Sequence, residues 1–178
     1  MLKKEPEKEK FFTAVQTGQN AISLYGTSPP ANSVRNANRY WFKQKEDKLD
    51  VQTTKILRER KYGKFEGKPN KEYDKVKKIL EKLTDEERYS YKMFGIESDK
   101  EIVERLINFL KEIAISYPGK KILVVTHGAV MRFFLIKLGV GNHRSLRPGA
   151  VKSSGFIKLQ TNGTDFLIKE LSKIQFSN

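Results

Sequence analysis

The sequence predicts an α/β fold, a sheet with an antiparallel edge that is flanked by helices. The middle of the chain alternates helical patterns with one apolar run, Ile122–Val125, which is typical of a strand buried on both faces. The end of the chain, FIKLQTNGTDFLIKEL, contains Asn162-Gly163, the two-residue signature of a type I′ hairpin turn. With 178 residues and no internal repeat, the chain has the size of one domain.

The N-terminal third carries weaker patterns. Residues 1–10 alternate Lys and Glu, and we expect them to form a charged, solvated tail ahead of a single domain over residues 11–178. Residues 11–24, FFTAVQTGQNAISL, predict a short helix, which the Pro29-Pro30 pair ends. Alternating β-branched residues predict a strand from Val51 to Leu57, followed by a charged loop that contains glycine.

Three helices are predicted after that loop. Residues 71–83 place apolar side chains on one face. The second helix begins at a capping box, Ser98 to Glu101, and Pro118-Gly119 ends it. The third runs from Ala129 to Leu138 and is closed by Gly139. The apolar stripe of the second helix comprises Ile102, Val103, Leu106, Phe109, Leu110 and Ile113.

Composition excludes several classes of protein. The longest apolar runs are four residues, far below the roughly 20 that a membrane helix needs, and the N-terminus has no apolar signal region. The chain has no cysteine, and its two histidines are 16 positions apart, so neither a disulfide nor a zinc site is predicted. We therefore expect a cytoplasmic protein with no membrane association, no metal and no cofactor.

The net charge of +14 indicates an anionic partner or a strongly solvated surface. The partner could be a phosphorylated small molecule, an acidic protein or nucleic acid. Nucleic acid is the least favoured, because acidic residues are interleaved throughout and no basic stripe alternates with stacking aromatics, apart from RYWFKQK. The alternative is that the lysines simply cover solvated faces.

His127 is the first candidate for a chemical role, because it lies where the strand Ile122–Val125 passes into a helix. Ligands of open α/β sheets collect beyond the carboxyl ends of the strands. Gly128 permits a sharp turn, and the free N–H groups of the following helix attract an anion such as a phosphoryl group. The alternative is a structural histidine that binds a neighbouring loop carbonyl.

Two blocks of this sequence resemble signatures of the histidine phosphatase superfamily, the phosphoglycerate-mutase-like enzymes. ILVVTHGAVMRFFL is similar to the family's second histidine block, with Arg132 on the helix. LRERKYGKFEGK, residues 57–68, is similar to its glutamate block. GIESDKEIVERLINFL and RPGAVKSSGFIKL resemble the family's connecting helix start and closing strand, so the resemblance covers about residues 11–175.

The resemblance implies a fold, an activity and a site. The fold is a three-layer phosphoglycerate-mutase-like sheet flanked by helices, with a C-terminal β-hairpin. The activity is phosphomonoester hydrolysis on a phosphorylated small molecule. Glu59 matches the general acid, His127 the second histidine, and Arg60, Tyr62 and Gly128 the phosphate-binding surroundings. Without the resemblance, the favoured interpretation of Glu59 is a surface carboxylate paired with Arg58 or Lys61.

Parts of the family pattern are missing. No histidine precedes His127, so the Arg-His-Gly block that supplies the nucleophile has no counterpart, and Thr13 stands where the family has a phosphate-binding arginine. His143, in VGNHRSLRP, matches no catalytic position, and we expect an exposed loop side chain. The domain is therefore expected to be incomplete at its N-terminus. Its activity would then be impaired, because the nucleophile is absent. The strands next to the missing segment would expose edges that permit homo-oligomers. The alternative is that the protein is a non-catalytic binder of a phosphorylated ligand.

Overall fold

A computed structural model describes residues 11–15, 52, 54–119 and 121–177. Within these residues, four strands and four α-helices alternate in an α/β arrangement. The strands are β1 (Phe11–Val15), β2 (Lys121–Val125), β3 (Val151–Thr161) and β4 (Phe166–Ile174), and the helices are α1 (Asn70–Leu80), α2 (Asp85–Ser90), α3 (Asp99–Ser116) and α4 (Gly128–Lys137). The predicted tail at residues 1–10 and the RYWFKQK segment lie outside the described residues.

The four strands form one mixed sheet in the order β2-β1-β3-β4. Strand β1 lies parallel to β2, with Phe12 opposite Ile122, and antiparallel to β3, with Ala14 opposite Ile157. Strands β3 and β4 form the antiparallel hairpin that the sequence predicted. The sheet therefore combines a parallel pair, which requires a crossover connection, with an antiparallel edge.

The prediction of a helix over residues 11–24 is wrong for its first five residues. Phe11–Val15 is a strand that pairs with β2 on one side and with β3 on the other. Phenylalanine, threonine and valine favour strands, and backbone pairing with two neighbours outweighs a weak helical pattern in so short a segment. The rest of that prediction, residues 16–24, lies outside the described residues.

The prediction of a strand over Val51–Leu57 is also wrong for its last three residues. Lys55–Leu57 is a 3-10 turn, which the side chain of Thr54 begins by accepting a hydrogen bond from the Ile56 amide at 3.2 Å. Threonine is β-branched and also has a side-chain oxygen, so it can cap a turn as readily as it can occupy a strand. The side chain of Leu57 enters the core.

Helices α3 and α4 cover the sheet and supply most of the apolar core. The predicted capping box begins α3, because Ser98 Oγ accepts from the Glu101 amide at 3.2 Å and Glu101 accepts from the Ser98 amide at 2.9 Å. All six residues of the predicted apolar stripe are buried. They pack with Val124 and Val125 of β2, with Phe133 and Phe134 of α4, and with Ile157 and Leu159 of β3.

Helix α2 and the hairpin turn differ from the sequence predictions. Helix α2 was not predicted, although Thr84 and Glu87 form a complete capping box at its start. The hairpin loop is four residues long, not a two-residue type I′ turn, because Thr161 pairs with Phe166. The Asn162 side chain accepts from the amides of Thr164 and Asp165, which holds the longer loop closed.

A close approach of two backbone segments fixes the loop between the first turn and α1. Gly63 has a φ of +57° and packs against the backbone of Phe94 and Gly95. The Lys64 amide donates to the Phe94 carbonyl at 3.1 Å. A side chain at residue 63 would overlap the Phe94 carbonyl oxygen, so only glycine fits there.

We predict that Gly63→Ala lowers the free energy of unfolding more than Gly139→Ala does. Both glycines have positive φ, and this backbone strain costs about 1–2 kcal/mol with alanine. An alanine Cβ at residue 139 would meet open space. At residue 63 it would overlap the backbone as well, which brings the expected loss of unfolding free energy in Gly63→Ala to roughly 3 kcal/mol or more. Urea unfolding of the two variants measures the difference, and equal losses would contradict the close packing.

Candidate active site

A cleft of about 900 Å³ lies beside the start of α4. Its walls come from the loop after the first 3-10 turn, from α1 and α2, from the first turns of α4, and from the loop between α4 and β3. Seven lysines or arginines and four acidic residues line it. The basic residues are Arg60, Lys68, Lys77, Arg88, Arg132, Arg144 and Arg147, and the acidic residues are Glu59, Glu66, Glu81 and Asp85. The cleft is therefore suited to an anionic guest.

The loop that carries Glu59 is anchored by hydrogen bonds to its backbone carbonyls. The Thr126 hydroxyl, at the end of β2, donates to the Leu57 carbonyl at 2.8 Å. The Arg105 guanidinium, from α3, donates to the carbonyls of Ile56 and Arg58. One buried threonine and one arginine thus hold this loop over the carboxyl end of β2.

Glu97 extends the same anchor to the other side of Glu59. Its carboxylate accepts from Arg105 Nε at 2.7 Å and from the Lys61 amide at 3.1 Å. Arg58 also pairs with Glu97, at 3.5 Å. Arg58, one of the two surface partners considered for Glu59, therefore pairs with Glu97. Glu59 instead accepts from the Arg60 amide at 2.7 Å and lines the cleft.

His127 is the N-cap residue of α4 and is half-buried. Its extended backbone, with a φ of −109°, turns the chain into the helix, and its side chain makes no capping hydrogen bond. Burial lowers the pKa of the imidazole below its usual value, while the Glu59 carboxylate raises it and the Arg105 guanidinium lowers it. His127 is not one of the residues that line the cleft, but Gly128 and Ala129, which follow it, are.

The structure therefore brings four of the five predicted site residues to one cleft. Glu59, Arg60, Tyr62 and Gly128 line it, and His127 lies behind Gly128 within the electrostatic reach of Glu59. The Tyr62 ring packs edge-on against Tyr73 at 5.3 Å, and burial, followed by the Glu59 charge, raises the pKa of its hydroxyl.

Comparisons with known proteins identify the family. The model of the histidine phosphatase superfamily (branch 1) matches residues 39–173, well over half of the chain. The chain belongs to this superfamily. A relative in Bacillus subtilis strain 168, the uncharacterized phosphatase PhoE, is 31% identical over 87 residues, which are 48% of this chain. The match spans only 39% of that relative's length.

Several solved structures share the fold. YhfR of Bacillus stearothermophilus superposes with a TM-score of 0.62 at 14% identity, over 93% of this chain and 100% of the other. A mycobacterial glucosyl-3-phosphoglycerate phosphatase in complex with VO3 gives 0.63 at 14% identity, over 93% and 99%. A phosphoserine phosphatase of Entamoeba histolytica in complex with phosphoserine gives 0.61 at 14% identity, over 91% and 96%. At this identity the likeness establishes the fold alone.

This member of the superfamily contains a buried group of charged residues that the sequence did not reveal. We name it the Asp99 cluster: Asp99, Arg60, Arg88, Arg132 and His143. The Asp99 carboxylate lies 3.3 Å from Arg60 Nη2, 3.3 Å from His143 Nε2 and 3.9 Å from Arg88 Nε. Arg132 donates to the Leu146 carbonyl at 3.0 Å, and burial lowers its pKa to about 10.

The expectation that His143 is an exposed loop side chain is wrong. Only 6% of its side chain is exposed, and its ring packs 5.9 Å from that of Phe133. Burial, followed by the charges of Arg88, Arg132 and Arg60, lowers the pKa of His143 to about 3, so the ring is neutral at pH 7. The loop sequence around it is polar, and only the tertiary packing against α4 buries it.

Arg60 also contacts groups behind the wall of the cleft. Its guanidinium donates to the Glu97 carbonyl at 2.9 Å, pairs with Asp99 and lies 5.1 Å from the Phe133 ring centre. It still lines the cleft, but it also belongs to the Asp99 cluster. Among the described residues of this family member, no group of histidine, aspartate and glutamate side chains could hold a metal ion, and no helix is long and apolar enough to cross a membrane.

We predict that Glu59→Gln lowers the pKa of His127 further. The carboxylate is the contribution that opposes the effect of burial, so its removal leaves the imidazole less basic. NMR titration of the imidazole carbons measures this pKa. Glu86→Gln, a change of the same kind at an exposed position of α2, is the control and should leave it unchanged. An unaltered His127 pKa in Glu59→Gln would show that the two side chains are not neighbours.

Proposed function

We propose that this histidine phosphatase binds phosphomonoesters in the basic cleft and hydrolyses them slowly. The observation that supports this most directly is the placement of Glu59 and the first turn of α4 around one basic cleft. The phosphoryl group would lie against the amides that begin α4, where free N–H groups and the helix dipole favour negative charge. His127 would orient the phosphoryl oxygens, and Arg60 and Tyr62 would line the approach.

Glu59 would act as the proton donor for the leaving alcohol. A carboxyl group at the edge of a cleft, in contact with the Arg60 amide and close to His127, is positioned for general acid catalysis. Two of the proteins with a similar fold, the phosphoserine and the glucosyl-3-phosphoglycerate phosphatases, have names that give a phosphorylated small molecule as the substrate. We extend that class of substrate to this chain.

We expect slow turnover because these 178 residues contain two histidines, His127 and His143, and neither is placed as the nucleophile. A phosphohistidine route needs an imidazole nitrogen in line with the phosphorus, in addition to the histidine at the start of α4. His143 does not meet this need, because its Nε2 faces Asp99 and its Nδ1 is buried. The route left is direct attack of water on the phosphorus, with Glu59 as the proton donor for the leaving alcohol. This route forms no covalent enzyme intermediate. In the limit of no turnover, the protein is a binder of phosphorylated ligands.

Binding should depend on His127. We predict that phenyl phosphate raises the melting temperature of the unaltered protein and not that of His127→Ala, because the variant loses the side chain that orients the phosphoryl oxygens. Differential scanning fluorimetry measures both shifts. Lys169→Gln, which removes an exposed positive charge on β4, is the control and should keep the shift. Equal shifts in all three proteins would exclude the proposed pocket.

Turnover should proceed without a covalent intermediate. We predict that rapid quenching during the hydrolysis of p-nitrophenyl phosphate yields no phosphohistidine at either histidine, and that product forms linearly without a burst. Glu59→Gln should lower the rate by about 100-fold or more, because a positioned general acid contributes that much. Mass spectrometry under alkaline conditions detects phosphohistidine. An acid-labile phosphate on His127 or His143 would refute the direct route.

A further inference from the structure

A second cavity, of about 480 Å³, lies beside the loop that carries Glu59 and shares none of its described lining residues with the cleft. Arg58 and Lys61 line this cavity, whereas Glu59 and Arg60, which lie between them in the chain, line the cleft. The volume is within the range of ligand pockets. We name the cavity the Phe94 pocket, and its wall includes Arg58, Lys61, Lys92, Met93 and Phe94.

Phe94 occupies a backbone position that does not suit phenylalanine. Its φ is +53° and that of Gly95 is +74°, and the Ile96 amide donates to the Met93 carbonyl at 2.9 Å. Two central residues with positive φ are typical of a type I′ turn, in which asparagine, aspartate or glycine is favoured at the first of them. A bulky side chain there has a steric cost. The turn alone therefore does not explain why residue 94 is phenylalanine.

The Phe94 ring is held in place but is not buried. Lys64 Nζ lies 3.3 Å from the ring centre, and the Phe65 ring packs edge-on at 5.8 Å. Nevertheless, 49% of Phe94 is exposed, and it belongs to neither apolar cluster of the described residues. An aromatic side chain that is oriented before binding and open to solvent is suited to anchor a protein interface.

The rim of the Phe94 pocket is positively charged. Two carboxylates also line it, but Glu97 pairs with Arg105 at 2.7 Å and Glu101 pairs with Lys92 at 2.7 Å. No acidic side chain in the described part of the chain pairs with the Lys61 ammonium, which is exposed. The two carboxylates are outnumbered by four cations, Arg58, Lys61, Lys92 and Arg105. The excess positive charge attracts an acidic partner.

We propose that the Phe94 pocket is a docking site for a partner protein, which presents a short acidic segment with one large apolar side chain. Carboxylates of the segment bind Arg58 and Lys61, and its apolar side chain packs on Met93 and Phe94. A peptide can place an uncharged residue beside the carboxylates of the pocket, which a continuous phosphate backbone cannot do, so nucleic acid fits less well. This inference is independent of the proposed function, because the pocket and the cleft have separate linings.

Three pentapeptides with the same uncharged dye test the docking site. The first has a tryptophan between two pairs of glutamates, the second replaces the glutamates with glutamines, and the third replaces the tryptophan with glycine. Fluorescence anisotropy should give the first peptide a Kd about fivefold lower than the glutamine peptide, because two exposed ion pairs contribute that much. It should be about tenfold lower than that of the glycine peptide, which buries no ring.

Variants test whether the Phe94 pocket causes this preference. In Phe94→Asn, which suits the turn and removes the ring, the advantage of the tryptophan peptide over the glycine peptide should disappear. Phe176→Asn, which removes a phenylalanine that is 46% exposed elsewhere, is the control and should keep it. Urea unfolding verifies that both variants are folded. Equal Kd values of the tryptophan peptide in the two variants would overturn the inference.

A second pair of variants tests the charge without altering the turn. Lys61→Gln should raise the Kd of the glutamate peptide and leave that of the glutamine peptide unchanged, whereas Lys169→Gln should change neither. Equal binding of all three peptides to the unaltered protein would overturn the inference. An eight-nucleotide oligothymidylate with the same dye represents the other class of partner. If it binds more tightly than the glutamate peptide and loses this affinity in Phe94→Asn, the site is one for nucleic acid, and the proposed protein partner is wrong.

Discussion

The site depends on one interaction, the contact of Arg105 with Glu97 and with the backbone of the loop that carries Glu59. The Glu59 loop has little regular structure, so its position must be set by contacts from outside it. Arg105 and Glu97 provide them, and both are held by α3, whose capping box fixes the start of the helix next to Glu97. Because Arg105 is largely buried and pairs with a buried carboxylate, loss of either partner would leave an uncompensated charge. The geometry of the cleft thus depends on the packing of α3 against the sheet.

Two kinds of feature could be predicted from the sequence: elements with strong local signals, and residues that lie within recognisable motifs. The capping box at Ser98, the apolar stripe of α3 and the turn at His127 are local patterns, and each forms where it was predicted. Residues 11–15 were misjudged because a segment of five residues takes the structure that its neighbours impose, and strand pairing is not visible locally. The Asp99 cluster could not be predicted, since its five residues come from five separate segments of the chain. A capping box at Thr84 would have revealed the helix that carries Arg88, but not the direction of its side chain.

The cluster also illustrates a conflict between stability and function. Burial lowers the pKa values of Arg88, Arg132 and His143 and raises that of Asp99, so each group is charged less readily than in water. Such an arrangement costs free energy in the unliganded protein, and apolar residues of similar volume would stabilise the fold better. Its position on a cleft wall, instead of in the apolar core, agrees with a role in binding charge.

The two ends of the cleft would attract an anion in different ways. Because the pKa of His127 lies below its usual value, the imidazole is predominantly neutral at pH 7 and offers hydrogen bonds more than positive charge. At that end, the favourable field comes from the helix dipole and the first amides of α4, which position an anion without neutralising a full charge. Formal positive charge lies elsewhere on the cleft wall, with Arg132 one turn further along α4 and Arg88 on α2. The two ends therefore contribute in different ways, with hydrogen bonds and a dipole at one end and formal charge at the other.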